Sequence, residues 1–378
     1  MPARLSGGRP RRRSRTESRR WARSIRQPGR GLGPGCQTSR RTPARPSAPG
    51  GRFRAIVAPV VIPSAALPRP ASVSTIPSSA VAPPRADFGR VAVFFGDKNG
   101  KYPDGNQVVV RGTDTLAVFD SPPVSNRVGD DFDRADLCVL GHVHEDHIAG
   151  LHRLPGVPVH AHRADVDALR SWEGLARHYG LSPERRAPML AKIRREYDYV
   201  ARPDALAYDD GASWELGGCR VRAIHMPGHT AGHCVLLIEP EGVAFIGDID
   251  LTGFGPYYGD GTSSLADFRR SLARLPDIPA RVWVTSHHRG VYTDRQAMLQ
   301  ALAAFTAKID ERERRLIELL AHQPRSLPDL VACRLMYPPD YEELWVDDAE
   351  RRSISQHLDE LVADGRVLAE PDGMFRLR

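Results

Sequence analysis

The chain has 378 residues, 41% of them hydrophobic, and a formal net charge of +7, enough for one large domain and a smaller one. Its five cysteines, Cys36, Cys138, Cys219, Cys234 and Cys333, form no CxxC pair, which argues against a disulfide framework or a zinc ribbon. The net positive charge comes from one end: residues 1–54 hold 16 arginines against the single acid Glu17, leaving −8 for residues 55–378, which disfavours a body built to bind a long nucleic acid.

Residues 1–88 are rich in Arg, Pro, Ser, Gly and Ala and cannot bury enough apolar surface to offset chain entropy, so this leader is expected to be disordered. A transit peptide fits the composition, and so does a start codon assigned upstream of the true one. Order is expected from about Gly89. The runs RVAVFF (90–95), NQVVVRG (106–112), TLAVFD (115–120), LCVLG (137–141) and VPVHAH (157–162) read as strands. HIAGLHRL (147–154) has helical spacing, and residues 164–200 read as helices broken at GLSPE (180–184). Strands return at CRVRAIHM (219–226), HCVLLIEP (233–240), GVAFIGD (242–248) and RVWVTSHH (281–288), with an amphipathic helix at 264–275 and a long helix over 294–323. Strand runs with interleaved helices predict sheets covered by helices, an α+β architecture. No run of about eighteen apolar residues is present to cross a membrane. The tail, helices followed by RVLAEPDGMFRL turning at Asp372–Gly373, describes a winged helix. Domain bounds of 1–88, 89–305 and 306–378 follow.

The chemistry gathers where strands end. GHVHEDHIAG carries His142, His144, Asp146 and His147 as H-x-H-x-D-H. His142 and His144 leave a strand end with one residue between them, so both can aim the same way, while Asp146 and His147 begin the next turn and can address a second point. Imidazole and carboxylate suit zinc or iron. PGHTAGH then offers His229, FIGDID offers Asp248, and VTSHHRG offers His287 and His288, each just past a strand.

These motifs, in this order, resemble the metallo-β-lactamase superfamily over roughly Arg90 to Gln300. The resemblance implies an αββα sandwich with two metals at one sheet edge. By matching motif, His142, His144 and His229 would hold one metal, Asp146, His147 and either His287 or His288 the other, and Asp248 would bridge them. Asp120, ending TLAVFD, would brace the site. Two zinc ions are implied, with iron or manganese also fitting. Such a pair acidifies a bridging water for attack on a thioester, ester or phosphodiester, with Asp146 orienting the nucleophile. Tyr257 or Tyr258, in the Gly-rich and therefore flexible stretch GFGPYYGDG (253–261), could donate to a developing oxyanion, although packed loop tyrosines are the blander reading. His233 and Cys234 are read as strand residues under the site and His160 and His162 as structural. The arginines and Lys192 of the 164–200 insert read as a solvated face, and Glu145 as solvent-facing filler.

The winged-helix pattern narrows the resemblance to the lactamase-beta-like 2 branch, which includes single-strand-specific endoribonucleases and acyl-carrier thioesterases. From Glu311 to Arg378 the chain holds 10 basic and 15 acidic side chains, which favours docking, dimerisation or a cleft wall over DNA reading. The expected partner is a small-molecule or acyl-carrier thioester in the cytoplasm, with a short RNA and a homodimer also compatible. Two other functions fit the sequence: a mononuclear iron persulfide dioxygenase using His142, His229 and Asp248, and a winged-helix nucleic-acid-binding regulator.

Overall fold

The computed structural model describes residues 82–378. The expected leader therefore lies outside the described residues as far as residue 81. Its last residues do not: Arg85–Phe88 forms strand β1, so order begins before Gly89.

The first sheet has seven strands in chain order: β1, β2 (Val91–Phe94), β3 (Gln107–Arg111), β4 (Leu116–Phe119), β5 (Leu137–Val139), β6 (Val159–His162) and β7 (Leu206–Tyr208). The first four pair antiparallel and the rest pair parallel. The second sheet runs β13–β12–β11–β10–β9–β8, from β8 (Ser213–Glu215), β9 (Arg220–His225), β10 (Cys234–Glu239) and β11 (Val243–Phe245) to β12 (Val282–Val284) and β13 (Val291–Tyr292).

The apolar runs are continuous because both faces of each sheet are covered. Side chains alternate across the pleat. Val91, Val93, Val108 and Val110 face inward and meet Trp214, Val221, Leu236 and Phe245 of the second sheet. Ala92, Phe94, Val109 and Val118 face outward against Leu169, Leu175, Met189 and Ile193. Those last four belong to α3 (Val166–Arg170), α4 (Trp172–Tyr179) and α5 (Pro183–Glu196). Single turns at α1 (Asp97–Gly100) and α2 (Asp130–Asp133) interrupt the loops of this half.

The outer face of the second sheet, with Val235, Leu237, Ala244 and Trp283, packs on α6 (Leu265–Arg274) and α7 (Arg295–His322). Ser264 caps α6 by accepting from the Asp267 amide, and Asp294 caps α7 in the same way from Ala297. The result is helix, sheet, sheet, helix.

Helix α7 is 28 residues long and buries one stripe: Met298, Leu302, Phe305, Ile309, Arg312, Leu316 and Leu320. Its first half sits on the second sheet. Its second half enters another core with Leu330, Val331, Ile354, Leu358 and Val367. That core is completed by α8 (Leu327–Ala332), α9 (Val346–Ala363) and a three-stranded sheet of order β14–β16–β15, from β14 (Arg325–Ser326), β15 (Val367–Ala369) and β16 (Met374–Leu377). A capping box between Ser326 and Asp329 starts α8. Arg185 and Lys192 of α5 pair with Asp347 and Glu343 of this C-terminal segment, at 3.2 and 3.4 Å. No helix among the described residues is long and apolar enough to cross a membrane.

One local expectation fails. HIAGLHRL is not a helix: 3-10 turns at Glu145–His147 and Leu151–Arg153 replace it. Gly150 lies between them, where a Cβ would stand 2.0 Å from the Ser125 hydroxyl oxygen, so close packing sets the path there.

Candidate metal centre

Five strand ends deliver the polar residues to one edge of the sandwich. β4 runs into Asp120, β5 into His142, β9 through a Pro-Gly turn into His229, β11 into Asp248 and β12 into His287. Two of these turns admit only glycine. Gly228 has φ +141°, and a Cβ on it would lie 2.3 Å from the Phe268 Cα. Gly247 has φ +55°, and a Cβ there would lie 2.6 Å from the His233 ring.

The residues converge in two groups. In the first, His144 Nδ1 lies 3.2 Å from His142 Nε2 and 3.1 Å from His229 Nε2, and Asp248 Oδ2 is 3.3 Å from His229 Nε2. In the second, His287 Nε2 is 3.1 Å from Asp146 Oδ2, and His147 Nε2 is 3.6 Å from the same oxygen. The other oxygen of Asp248, Oδ1, stands 3.2 Å from His147 Nε2 and 3.5 Å from His287 Nε2. One carboxylate thus addresses both groups.

These groups fit divalent cations. Asp146 Oδ2, His147 Nε2 and Asp248 Oδ1 are buried and close together, yet none satisfies a hydrogen bond. The ligand-capable atoms of each group fall within 4.8 Å of one another. Four of the five histidines are also held from behind. His144 Nε2 bonds Asp260 Oδ2 at 2.7 Å, and His147 Nδ1 bonds Asp120 Oδ2 at 2.7 Å. His229 Nδ1 donates to the Tyr257 carbonyl, and His287 Nδ1 to the carbonyls of Gly100 and Asp104. Fixing the far nitrogen aims the near one at the centre, as metal-binding imidazoles require.

Electrostatics follow the same geometry. Burial, then the neighbouring His147, holds His142 well below the ordinary histidine range. Burial also works against a charged His144, but Asp260 outweighs it and pushes the group up to about 9. His233 lies under the site, lowered by burial to about 3, and its neutral ring accepts the Asp248 amide at 3.2 Å. Asp120 sits at φ +53°, a left-handed conformation for a non-glycine residue. It is kept there by accepting the Gly141 amide at 2.7 Å while it grips His147.

The remaining sequence candidates fall differently. His288 is half-buried at φ +57° and belongs to neither group. Its neighbour His287 is the one whose Nε2 lies beside Asp146 Oδ2. Tyr257 donates to Asp260 Oδ1 at 3.0 Å. Tyr258 is fully buried and its hydroxyl is committed to His357 of α9 at 2.8 Å, so no oxyanion contact is open to it. His160 packs on Trp214, and His162 stacks on His225. The stretch 253–261 is pinned by backbone contacts from Arg312, Arg352 and Gln356. Its glycines bring it close to those helices.

Two residues carry more than their sequence context suggested. Asp260 has no motif around it, and only the fold joins it to His144. Glu145 is 7% exposed, not solvent-facing. It is bonded to Tyr102 and Tyr179.

The sandwich with this doubled His/Asp edge belongs to a known class of protein. Residues 104–301, more than half of the chain, match the family model described as the metallo-beta-lactamase superfamily, and the chain belongs to that superfamily. Among its relatives is an atrochrysone carboxyl ACP thioesterase of Pseudocercospora fijiensis, 28% identical over 188 residues, 47% of this chain and 53% of that one. Another is an acyl-coenzyme A thioesterase of Bos taurus, 30% identical over 151 residues, 38% of this chain and 52% of that one. The chain thus spans about half the length of these curated relatives. A solved metallo-beta-lactamase family protein of Thermus thermophilus superposes with a TM-score of 0.56 at 26% identity, covering 72% of this chain and 94% of that one.

Proposed function

We propose that the protein is a two-zinc hydrolase of acyl thioesters. The observation that carries this reading is Asp248, whose two oxygens face two separate ligand groups. A mononuclear iron centre would use His142, His229 and Asp248 and leave Asp146, His147 and His287 without purpose. Two bound zinc ions would supply an acidified water and a charge sink for the attacked carbonyl. His142, His144 and His229 would hold one ion, Asp146, His147 and His287 the other, with Asp248 shared. Imidazole with carboxylate, and no thiolate, suits zinc. Asp146 would also orient the attacking water, and Asp120, Asp260 and His233 hold the ligands in place. The thioester assignment draws on the thioesterases to which the chain is similar and on the net negative charge of the body, which disfavours a polyanionic substrate.

Residues 306–378 are read as a winged-helix unit. Its helix, strand, helix, helix, hairpin order supports this. The acidic balance of residues 311–378 disfavours nucleic-acid binding, and the Arg185–Asp347 and Lys192–Glu343 pairs support a docking role or a cleft wall over it, with dimerisation the remaining reading.

The test is a metal assay with a substrate panel: acyl-coenzyme A and acyl-carrier thioesters against a lactone, a phosphodiester and RNA. Two zinc ions per chain and thioester turnover are expected, with Asp146→Asn losing at least about 100-fold in kcat while circular dichroism is unchanged. One iron per chain with oxygen uptake on a persulfide would replace this reading with the dioxygenase. Salt-dependent duplex binding without turnover would replace it with the regulator.

A further inference from the structure

Glu145 sits between the two ligand groups in sequence, after His144 and before Asp146, and its side chain belongs to neither. Each of its oxygens takes a phenol. Tyr102 donates to Oε1 at 3.1 Å, and Tyr179 donates to Oε2. The Glu145 amide also donates to the Tyr179 oxygen at 3.1 Å. The two tyrosines come from different parts of the fold. Tyr179 ends α4, 34 residues downstream, and Tyr102 lies in the loop between β2 and β3.

Both tyrosine rings lie against histidines of the ligand groups. The Tyr179 ring stacks on His144, with centroids 5.7 Å apart and planes 13° from parallel. The Tyr102 ring meets His287 edge-on at 6.4 Å. One carboxylate therefore fixes two rings, one against a member of each ligand group. Tyr102 is further tied by the Tyr197 hydroxyl at 3.0 Å and flanked by Trp345 at 6.4 Å. The other acids behind the centre act differently: Asp120 and Asp260 each grip one histidine directly.

We propose that Glu145 is a positioning residue that clamps the two ligand groups in register through Tyr179 and Tyr102. It touches neither the ligand atoms nor the substrate. It acts by holding the rings that wall His144 and His287, so it sets the geometry of both groups at once. The proposal rests on the reading that these groups hold metal.

The experiment is a cobalt(II) titration of the full-length protein, followed by visible absorption, with apoprotein folding checked by circular dichroism. His144→Ala and His287→Ala give reference spectra with one group broken. Glu145→Ala is expected to weaken cobalt binding at both groups by about 10- to 100-fold and to alter the spectrum of each. Tyr179→Phe should reproduce the defect at the His144 group alone, and Tyr102→Phe at the His287 group alone. Glu145→Gln, which keeps one accepting oxygen, should fall between wild type and Glu145→Ala. Wild-type affinity and spectrum in Glu145→Ala overturn the clamp and leave the metal reading intact. So do tyrosine variants that act on the same group or on neither, and these decide the matter if Glu145→Ala does not fold. A wild-type protein that takes up no cobalt overturns both.

Discussion

Asp260 reaches His144 across 116 residues of sequence and fixes which imidazole nitrogen faces the centre. Asparagine there would keep the shape and lose the charge. Asp260→Asn should therefore lower zinc affinity about 10-fold or more, measured by competition with a chromophoric chelator on protein shown to be folded by circular dichroism. Asp120 does the same for His147. The two differ in how visible they were. Asp120, His142, Asp248 and His287 each close an apolar strand run, so the strand pattern pointed at them. Asp260 follows two tyrosines and a glycine in a stretch with no periodicity, and nothing local marks its partner. Glu145 was misread for the same reason: the phenols that bury it come from loops and helices 34 and 43 residues away.

At the scale of elements, the central strands were legible and the edge strands were not. β1 and β7 border the first sheet, and β8 and β13 border the second. All four are short, and three carry exposed or half-buried positions throughout or nearly so. They lack the continuous apolar run that burial on two faces imposes on β2, β3 or β10. The stretch 253–261 shows a related limit. Its glycines suggest freedom, but freedom in the unfolded chain says nothing about what grips the folded one. Arg312, in the buried stripe of α7, donates to the carbonyls of Pro256 and Phe254. Arg312 is itself only 5% exposed, and removing its guanidinium leaves the buried Pro256 carbonyl without its donor. Arg312→Ala should cost about 2–3 kcal/mol, read from the urea midpoint. Because the same stretch positions Asp260 and the Tyr257 carbonyl, zinc affinity should fall with it.

Across the whole molecule, buried neutral histidines make the fold sensitive to acid. Burial lowers His160 to about 4, and burial with nearby Arg269 and Arg312 lowers His357 to about 3. In the unfolded chain both titrate near 6.5. Their contribution is complete above that pH and is lost as pH falls below it, because the unfolded chain then binds protons that the folded one refuses. Each group should cost about 2 kcal/mol between pH 7 and pH 5. His357→Gln keeps an acceptor for Tyr258, and its loss of stability over that interval should be smaller by that amount in urea titrations.

The long helix α7 has a consequence for how the protein comes apart. Met298 to Ile309 belong to the sandwich and Leu316 to Leu320 to the C-terminal core, on one uninterrupted rod with no linker between them. Melting either half means breaking the helix at the junction, where Arg312 is bound to the loop beside it. The two cores should therefore share a single cooperative melting event. Calorimetry should show one peak whose calorimetric and van't Hoff enthalpies agree, and two resolved peaks would mean that the rod breaks.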